Sequence, residues 1–366
     1  MSNTLYHIYY VTAFITALVI TWYSVPAIIN LAKLKKLYDQ PNHRKAHSSP
    51  IPTLGGLAVF SGFFFSFVFW TSSMTVPDFG PILSALMILF VVGIKDDLYP
   101  LVAKKKLVAQ VIATLIVVIQ GDVRITNLYG LLGIHDLSYL ESVLLSTLAI
   151  LGIMNGFNLI DGINGLAAGI GFIVLSTFGY WFYRMGDEIF LILSLTVCGS
   201  LLAFLRFNFG KAQIFMGDSG SLVLGYLVSI IAVRFIQLSR THEPNIFFSI
   251  AGAVYAFNLL IIPLFDTLRV FTVRILKGRS PFTADRNHIH HCLLDLGMSH
   301  TQASLTLYAA NVFFIFLAWL LQNLRPSVFL AVTLTVAFIL SQVPFFEKRR
   351  QKRLQVYKAS GDGPAI

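Results

Sequence analysis

Long apolar runs, separated by short polar connections, make up most of the chain. Several runs contain about 18 or more residues without a charge, which is enough for a helix to cross a bilayer. The short alternating segments that build transmembrane barrels are absent from the pattern. The pattern therefore predicts an all-α, polytopic integral membrane protein with about eleven transmembrane helices. The predicted spans are 8–31, 54–74, 79–94, 106–120, 139–156, 165–183, 189–206, 220–236, 246–268, 302–322 and 327–346.

The composition agrees with this pattern, since 56% of the 366 residues are hydrophobic and only 12% are charged. We expect a single transmembrane catalytic domain over residues 1–346, followed by a basic tail over 347–366. No Lys or Arg precedes Lys33, so the first run lacks the basic segment of a signal peptide and should remain as a span. Cys198 and Cys292 lie in different settings and indicate no disulfide framework.

The basic residues indicate how the chain is oriented. Most of the 27 Lys and Arg residues fall on one side of the membrane if the N-terminus is outside, and cytoplasmic loops are enriched in these residues. We therefore expect an outer N-terminus and a cytoplasmic C-terminus. The net charge of +10 follows the membrane topology, so it does not indicate a nucleic-acid partner. The polar clusters fall in the same cytoplasmic connections, at 43–56, 95–106, 155–165, 206–221 and 269–300, which predicts one cytoplasmic site built from five loops.

Two adjacent acids, Asp96 and Asp97, directly follow an apolar run. They could simply be the charged end of a span at the lipid headgroups. However, such ends usually carry Lys, Arg, Trp or Tyr, and carboxylates near the membrane are normally paired or bound to a cation. The pair is therefore a candidate for binding Mg²⁺ or for acting as a general base.

Asp218 lies in "FMGDSGSLVLG", just before a span. The flanking Gly217 and Gly220 allow tight turns, and the free N–H groups of the first helical turn can face an anion. Asp218 could equally be a helix cap, because an acid near a helix N-terminus is stabilising in any case. Both interpretations stay open from this motif alone.

The segment "NGFNLIDGING" at 155–165 combines one carboxylate, three amides and three glycines. Asn158 and Asp161 are three residues apart and share a face if the segment is helical. A loop with a polar cap would explain some of this polarity. Three amides, including Asn164, are more than a cap requires, so we favour a functional role.

Histidines and basic residues predict an anion site in the last cytoplasmic connection. His288, His290 and His291 follow Arg286, and such groups donate hydrogen bonds to phosphate oxygens. A zinc site is the alternative, but the partner spacing of structural zinc sites is missing. Lys45 and His47 in the first connection are weaker candidates for substrate binding, since basic residues beside a span often meet anionic lipid. Carboxylates, phosphate-binding bases and glycine-rich turns together favour metal-assisted phosphoryl transfer.

Five segments carry a resemblance to a known family. The segments "RKAHSSPIPTLGG", "GIKDDLYP", "NGFNLIDGINGLAAG", "FMGDSGSLVLG" and "SPFTADRNHIHH" are similar to those of the polyprenyl-phosphate N-acetylhexosamine-1-phosphate transferases, in the same order. "DRNHIHH" resembles the branch that uses UDP-N-acetylglucosamine (UDP-GlcNAc) and undecaprenyl phosphate. The resemblance implies transfer of GlcNAc-1-phosphate to that lipid, giving undecaprenyl-diphospho-GlcNAc and UMP, with Mg²⁺ or Mn²⁺ as cofactor. It also implies the bacterial inner membrane, a site facing the cytoplasm, and a homodimer surrounded by membrane lipid.

The resemblance further implies residue roles. Asp218 would bind the metal together with Asn158, and Asp96 would act as the base or orient the lipid phosphate, with Asp97 beside it. Asp161 would lie near the nucleotide.

Asn164 would also lie near the nucleotide, and the three histidines near the diphosphate. Bacterial members usually carry an acid where this chain has Asn164, so a mechanism that needs a carboxylate there is in doubt.

The lipid phosphate is largely a dianion at neutral pH, because the second pKa of a phosphate monoester is near 6. This favours its direct attack on the β-phosphorus, and an aspartyl-phosphate at Asp97 or Asp161 is the alternative.

Another UDP-N-acetylhexosamine or the UDP-muramoyl-pentapeptide is the alternative donor. A cation-coupled transporter using intramembrane carboxylates is a more distant alternative, but the acids cluster only at the predicted cytoplasmic ends. The motifs leave the downstream polymer open.

Overall fold

Each predicted span is helical over most of its described residues. The computed structural model describes residues 3–35, 37, 51–72, 74, 79–239, 252–278, 280 and 287–360. Its helices are α1 (Asn3–Lys35), α2 (Gly55–Thr71), α3 (Gly80–Leu98), α4 (Ala103–Leu115), α5 (Tyr139–Ile160), α6 (Leu166–Met185), α7 (Glu188–Asn208), α8 (Gly217–Leu238), α9 (Gly252–Leu259), α10 (Ile261–Leu276), α11 (Ile289–Asp295), α12 (His300–Leu321) and α13 (Pro326–Ser360). A π-helical turn, Ile116–Gln120, extends α4.

The described residues confirm the polytopic, all-α class. Seven helices, namely α1, α5, α6, α7, α8, α12 and α13, are long and apolar enough to cross a membrane, and α2 is a shorter apolar helix. Strands β1 (Asn127–Leu131) and β2 (Ile134–Asp136) form one antiparallel hairpin. The hairpin packs back on the helices, since the Tyr129 hydroxyl donates to the Ile236 carbonyl at the end of α8 (2.5 Å).

The predicted ninth span is broken at Leu260, where α9 ends and α10 begins. Pro263 has no N–H and therefore cannot donate to the carbonyl of Leu259, four residues earlier. The side-chain amide of Asn311, on α12, donates to that carbonyl instead, at 2.9 Å. Beyond the break, α10 continues to Leu276.

Two helix starts follow from sequence signals. Ser138 and Glu141 form a capping box at the start of α5, and Ser299 and Gln302 form another at the start of α12. At the other end of the chain, α13 runs without interruption past residue 346 to Ser360.

Helix α8 is the centre of the fold. In its most apolar stretch, 83% of the residues are buried inside the protein, against 22% for α13. At its first turn, glycines let three backbones meet. A Cβ at Gly56 of α2 would lie 2.1 Å from the Gly220 nitrogen, and one at Gly93 of α3 would lie 2.5 Å from Ser219 Cα. These contacts fix the end of α3, with its two acids, against the start of α8 with Asp218.

Candidate active site

A cavity of about 490 Å³ opens at the end of the fold where α3, α5 and α8 meet. Its wall combines residues of all five predicted polar segments, so positions more than 100 residues apart share one surface. The lining residues are Thr53, Asp96, Asp97, Pro100, Asn158, Asp161, Gly162, Ile163, Asn164, Asn208, Phe215, Gly217, Asp218, Ser221, His291 and His300. Lys45, His47 and Arg286 lie outside the described residues.

One ammonium group joins the central carboxylates. Lys106 Nζ lies 2.6 Å from Asp218 Oδ1, 3.1 Å from Asp96 Oδ2 and 3.5 Å from Asn158 Oδ1. The Asn158 amide also donates to Asp218 Oδ1 (2.5 Å) and to Ser221 Oγ (2.8 Å). We refer to Asp96, Asp218, Asn158 and Lys106 as the cavity cluster.

Lys106 was missed as a site residue because it belongs to the run "KKK", which the charge distribution explained as a cytoplasmic loop. The sequence nevertheless contains an indication that Lys106 points into the protein. Gln110 is a polar residue one helical turn later inside an apolar span, and residues four apart share a helix face. The structure buries Gln110 against Asn155 of α5, which shows that this face of α4 points inward.

Asp97 holds the first turn of α8. Its two carboxylate oxygens accept the backbone N–H groups of Asp218 (2.6 Å) and Ser219 (3.0 Å). The predicted anion at this helix N-terminus is therefore Asp97 itself. Burial raises the pKa of Asp97 to about 7, against the N–H donors that favour its ionised form.

Gly217 makes this approach sterically feasible. Its φ is +71°, and a Cβ there would lie 2.6 Å from Asp97 Oδ1 and 2.1 Å from the carbonyl oxygen of Thr53. Only glycine fits this combination of positive φ and close contact. The motif "MGDSGS" thus needs its first glycine so that Asp97 can orient Asp218.

Asp161 and Asn164 lie in the turn that follows α5, and both line the cavity. Loss of hydration, and then the nearby carboxylates of Asp218 and Asp97, raise the pKa of Asp161 well above its usual range. The Asn164 side-chain amide donates to the Gly210 carbonyl (2.6 Å), which ties the turn to the segment after α7.

Two further polar residues hold this turn and were missed by sequence reasoning. Asn208 Oδ1 accepts the Gly165 N–H (2.7 Å), and His300 Nδ1 accepts the Asn164 N–H (3.3 Å). Both sit at helix ends, where polar residues are common, so no local signal distinguished them.

The three histidines have different surroundings. His291 lines the cavity. His290 is buried; its Nε2 makes no hydrogen bond within the described residues and lies 2.7 Å from where a Cβ on Gly162 would be. Burial, and then the neighbouring His291, lower the pKa of His290 to about 3.

His288 belongs to a separate group behind the cavity. Its Nδ1 lies 2.9 Å from Asp266 Oδ2, and Arg269 donates to Asp266 Oδ1 at 2.7 Å. We refer to Asp266, Arg269 and His288 as the buried cluster. Sequence reasoning missed Asp266, because one acid in a helix that leaves the membrane has an ordinary explanation as a solvated residue.

The cavity cluster has the donor set of a substrate-completed magnesium site. Among the described residues, no group of three or more His, Cys, Asp or Glu side chains could hold a metal by itself. Mg²⁺ usually takes one or two carboxylates, and waters and substrate phosphates complete its shell. Asp218 and Asn158, with Asp96 beside them, already direct oxygens at one cation, the Lys106 ammonium, so they fit such a site.

Comparison with known proteins agrees with this arrangement. The model of glycosyl transferase family 4 matches residues 79–236. A Bacillus subtilis protein named as a probable undecaprenyl-phosphate N-acetylglucosaminyl 1-phosphate transferase is 36% identical over 309 residues, which are 83% of this chain and 82% of that protein. A decaprenyl-phosphate N-acetylglucosaminephosphotransferase of Mycobacterium leprae is 31% identical over 80% of this chain and 79% of its own length. An undecaprenyl-phosphate alpha-N-acetylglucosaminyl 1-phosphate transferase of Escherichia coli is 28% identical over 89% of this chain and 90% of its own length. The chain therefore belongs to glycosyl transferase family 4, as a polytopic membrane member of the polyprenyl-phosphate N-acetylhexosamine-1-phosphate transferases.

Proposed function

We propose that the protein transfers GlcNAc-1-phosphate from UDP-GlcNAc to undecaprenyl phosphate, giving undecaprenyl-diphospho-GlcNAc and UMP. The observation that carries the proposal is the convergence of Asp96, Asp218 and Asn158 on one cation at the cavity wall. The names of the Bacillus and Escherichia relatives support the choice of lipid and sugar. The cytoplasmic face of the bacterial inner membrane, and a homodimer, belong to the same proposal.

Mg²⁺ bound by Asp218 and Asn158 would neutralise the charge of the donor diphosphate, and Mn²⁺ could replace it. The chain's own residues would position the reactants. Asp96 is held by the Leu101 N–H (2.6 Å) and by Lys106, so its carboxylate is placed beside the proposed metal ligands.

The hydrogen bonds of Asp97 favour direct attack by the lipid phosphate. Both Asp97 oxygens already accept backbone N–H groups of α8. An aspartyl-phosphate at Asp97 would break at least one of these bonds and release the turn that carries Asp218. Asp97 is therefore better suited to hold Asp218 in place than to act as a nucleophile.

A second cavity supports a lipid acceptor. It has a volume of about 380 Å³, and its wall is almost entirely apolar, formed by α5, α10, α11, α12 and α13. Ile160 and His290 line this cavity, and His290 Nε2 lies close to Gly162 in the polar turn of Asp161. An apolar cavity near the proposed phosphate site suits the first isoprene units of a polyprenyl phosphate, since burying hydrocarbon next to a polar head satisfies both parts of the molecule.

The test is a transfer assay with radiolabelled UDP-GlcNAc, undecaprenyl phosphate and Mg²⁺, using purified protein in detergent. The wild type should form labelled lipid and release UMP. Asp218→Ala should lower the rate roughly a thousandfold, because a metal ligand at the reacting phosphates is lost. Asp122→Ala is a matched control, since Asp122 pairs with Arg124 far from the cavity and its side chain is 73% exposed.

Two further arms test the cofactor and the donor. Removing divalent metal with EDTA should abolish transfer, and Mg²⁺ or Mn²⁺ should restore it. UDP-N-acetylgalactosamine and the UDP-muramoyl-pentapeptide should react more slowly than UDP-GlcNAc. Failure of the wild type to label any lipid from UDP-GlcNAc would overturn the proposed function.

A further inference from the structure

Lys106 occupies the position where a cation would bind in the cavity cluster. It lies in the first turn of α4, and its side chain is only 15% exposed. Its Nζ contacts Asp218 Oδ1 and Asn158 Oδ1, which belong to the two residues proposed above as metal ligands. An ammonium and a divalent metal compete for these oxygens, because two cations held so close together would repel each other strongly.

Lys106 also compensates a local excess of negative charge. Asp96, Asp97 and Asp218 meet at the ends of α3 and α8, and a partly buried carboxylate without a counter-charge is strongly destabilising. Since α3 and α8 are fixed by the glycine contacts, the carboxylates cannot move apart. A built-in cation lets this part of the protein fold before any metal or substrate is bound.

Lys106 can leave this position without movement of the backbone. A lysine carries a compact charge on a flexible four-carbon stem, whereas an arginine fork is held by its plane and its several donors. The cavity of about 490 Å³ lies directly beside the cluster and offers room for the Nζ to turn toward a bound phosphate.

We propose that Lys106 is a resident competitor of the metal: it neutralises the cavity cluster in the substrate-free protein and moves onto the diphosphate of the donor when the metal takes its place. The proposal rests on the proposed function in one respect, the use of Asp218 and Asn158 as metal ligands. It follows that the metal binds weakly to the substrate-free protein and more tightly with the donor, because the donor gives the displaced ammonium a new partner. By linkage, the metal strengthens donor binding by the same factor.

The test measures Mn²⁺ binding to substrate-free, purified protein by electron paramagnetic resonance. Lys106→Met and Lys106→Gln should each bind Mn²⁺ roughly tenfold or more tightly than the wild type, because no ammonium has to be displaced. Lys105→Met is the matched control, since Lys105 is the preceding residue and is exposed, and it should bind Mn²⁺ as the wild type does. Transfer activity of both Lys106 variants should fall, although their metal affinity rises.

Mn²⁺ affinity that is unchanged or weaker in both Lys106 variants would overturn the proposal, because a lysine that only supports the fold or contacts substrate would not compete with the metal. If Lys106→Met is too unstable to purify, Lys106→Gln decides, since its amide can still donate hydrogen bonds to both carboxylates. Its melting temperature should then rise more on adding Mn²⁺ than that of the wild type, and an equal or smaller rise would count against competition.

Two results separate this proposal from the function. Asp218→Asn should lose Mn²⁺ binding, and retention of wild-type binding would refute the ligand assignment, and the competition with it. Absence of labelled lipid in the transfer assay would refute the proposed reaction, whereas the Mn²⁺ measurements on the Lys106 variants would still decide whether Lys106 competes with a metal.

Discussion

The cavity cluster and the buried cluster contain similar groups in different surroundings. In each, a carboxylate oxygen lies 2.6–2.7 Å from a cationic side chain, Lys106 in one and Arg269 in the other. The cavity cluster faces an open cavity, and the Asp218 side chain is 30% exposed. The buried cluster is nearly shielded from solvent, since the side chains of Asp266 and His288 are each 5% exposed, although Asp266 borders the apolar cavity.

The second difference is how many partners fix the charged groups. Asp266 accepts from Arg269, faces His288 and also accepts the Ile289 N–H at 3.2 Å. Arg269 is fixed further by the Asn287 carbonyl and by the ring of Phe345, 4.6 Å away. A shielded, charge-paired cluster of this kind holds α10 against α11. The cavity cluster keeps its carboxylates beside open space and balances them with one lysine, Lys106, which suits it to binding and chemistry.

The largest expected effect separates the two clusters by stability. Asp266→Asn should lower the free energy of unfolding by about 3 kcal/mol, because it leaves Arg269 buried without its counter-charge. The new amide N–H would also face the Ile289 N–H or Arg269, which are themselves hydrogen-bond donors. Thermal denaturation in detergent measures this. Asp295→Asn removes an exposed pair with Lys348 and should cost no more than about 1 kcal/mol.

Transfer activity per folded molecule should fall much less in Asp266→Asn than in Asp218→Asn. Unchanged stability combined with a large loss of activity would contradict the structural role assigned to the buried cluster.

A smaller effect concerns pH and lies between the two clusters, at His290. In the unfolded chain its pKa is about 6.5, whereas burial holds it at about 3 in the fold. Below pH 6.5 the unfolded state therefore binds a proton that the folded state does not, so stability is present above pH 6.5 and is lost as the pH falls. The loss should reach about 2 kcal/mol at pH 5.

Melting temperatures measured from pH 7.5 to pH 5 test this. His290→Gln should flatten the decline, and His135→Gln on the exposed hairpin should leave it as in the wild type. The same slope in His290→Gln and the wild type would show that His290 is not held neutral in the fold.

The smallest effect tests the rim of the cavity. Asn164→Asp would place a carboxylate against the Gly210 carbonyl in place of an amide N–H, at a cost of about 1 kcal/mol. The turn would shift, so KM for the donor should rise more than kcat falls. Steady-state kinetics separate the two, and a large fall in kcat with an unchanged KM would contradict a role in positioning.

Sequence patterning predicted where the helices lie, because the length and spacing of apolar residues are local properties of the chain. It did not predict the break at Leu260, although Pro263 was visible. A proline in a span is tolerated when a neighbour satisfies the freed carbonyl, and here that neighbour is Asn311, on another helix.

The motifs likewise predicted that Asp96, Asp161 and Asp218 belong to one site, and all three line the same cavity. The motifs could not rank the roles of these acids, because a role depends on the partners that each carboxylate meets in the fold.

The sequence by itself determined the membrane class, the helix-forming segments and the family. Each depends on stretches of neighbouring residues, such as an apolar run or a short motif, and not on which parts of the chain meet in the fold. The tertiary structure decided that Asp97 holds Asp218, that Lys106 bridges two carboxylates, and that only His291 of the three histidines lines the cavity. These facts depend on which helix faces meet, and that is fixed by packing contacts such as those of Gly56 and Gly93 with the start of α8, between residues far apart in the chain.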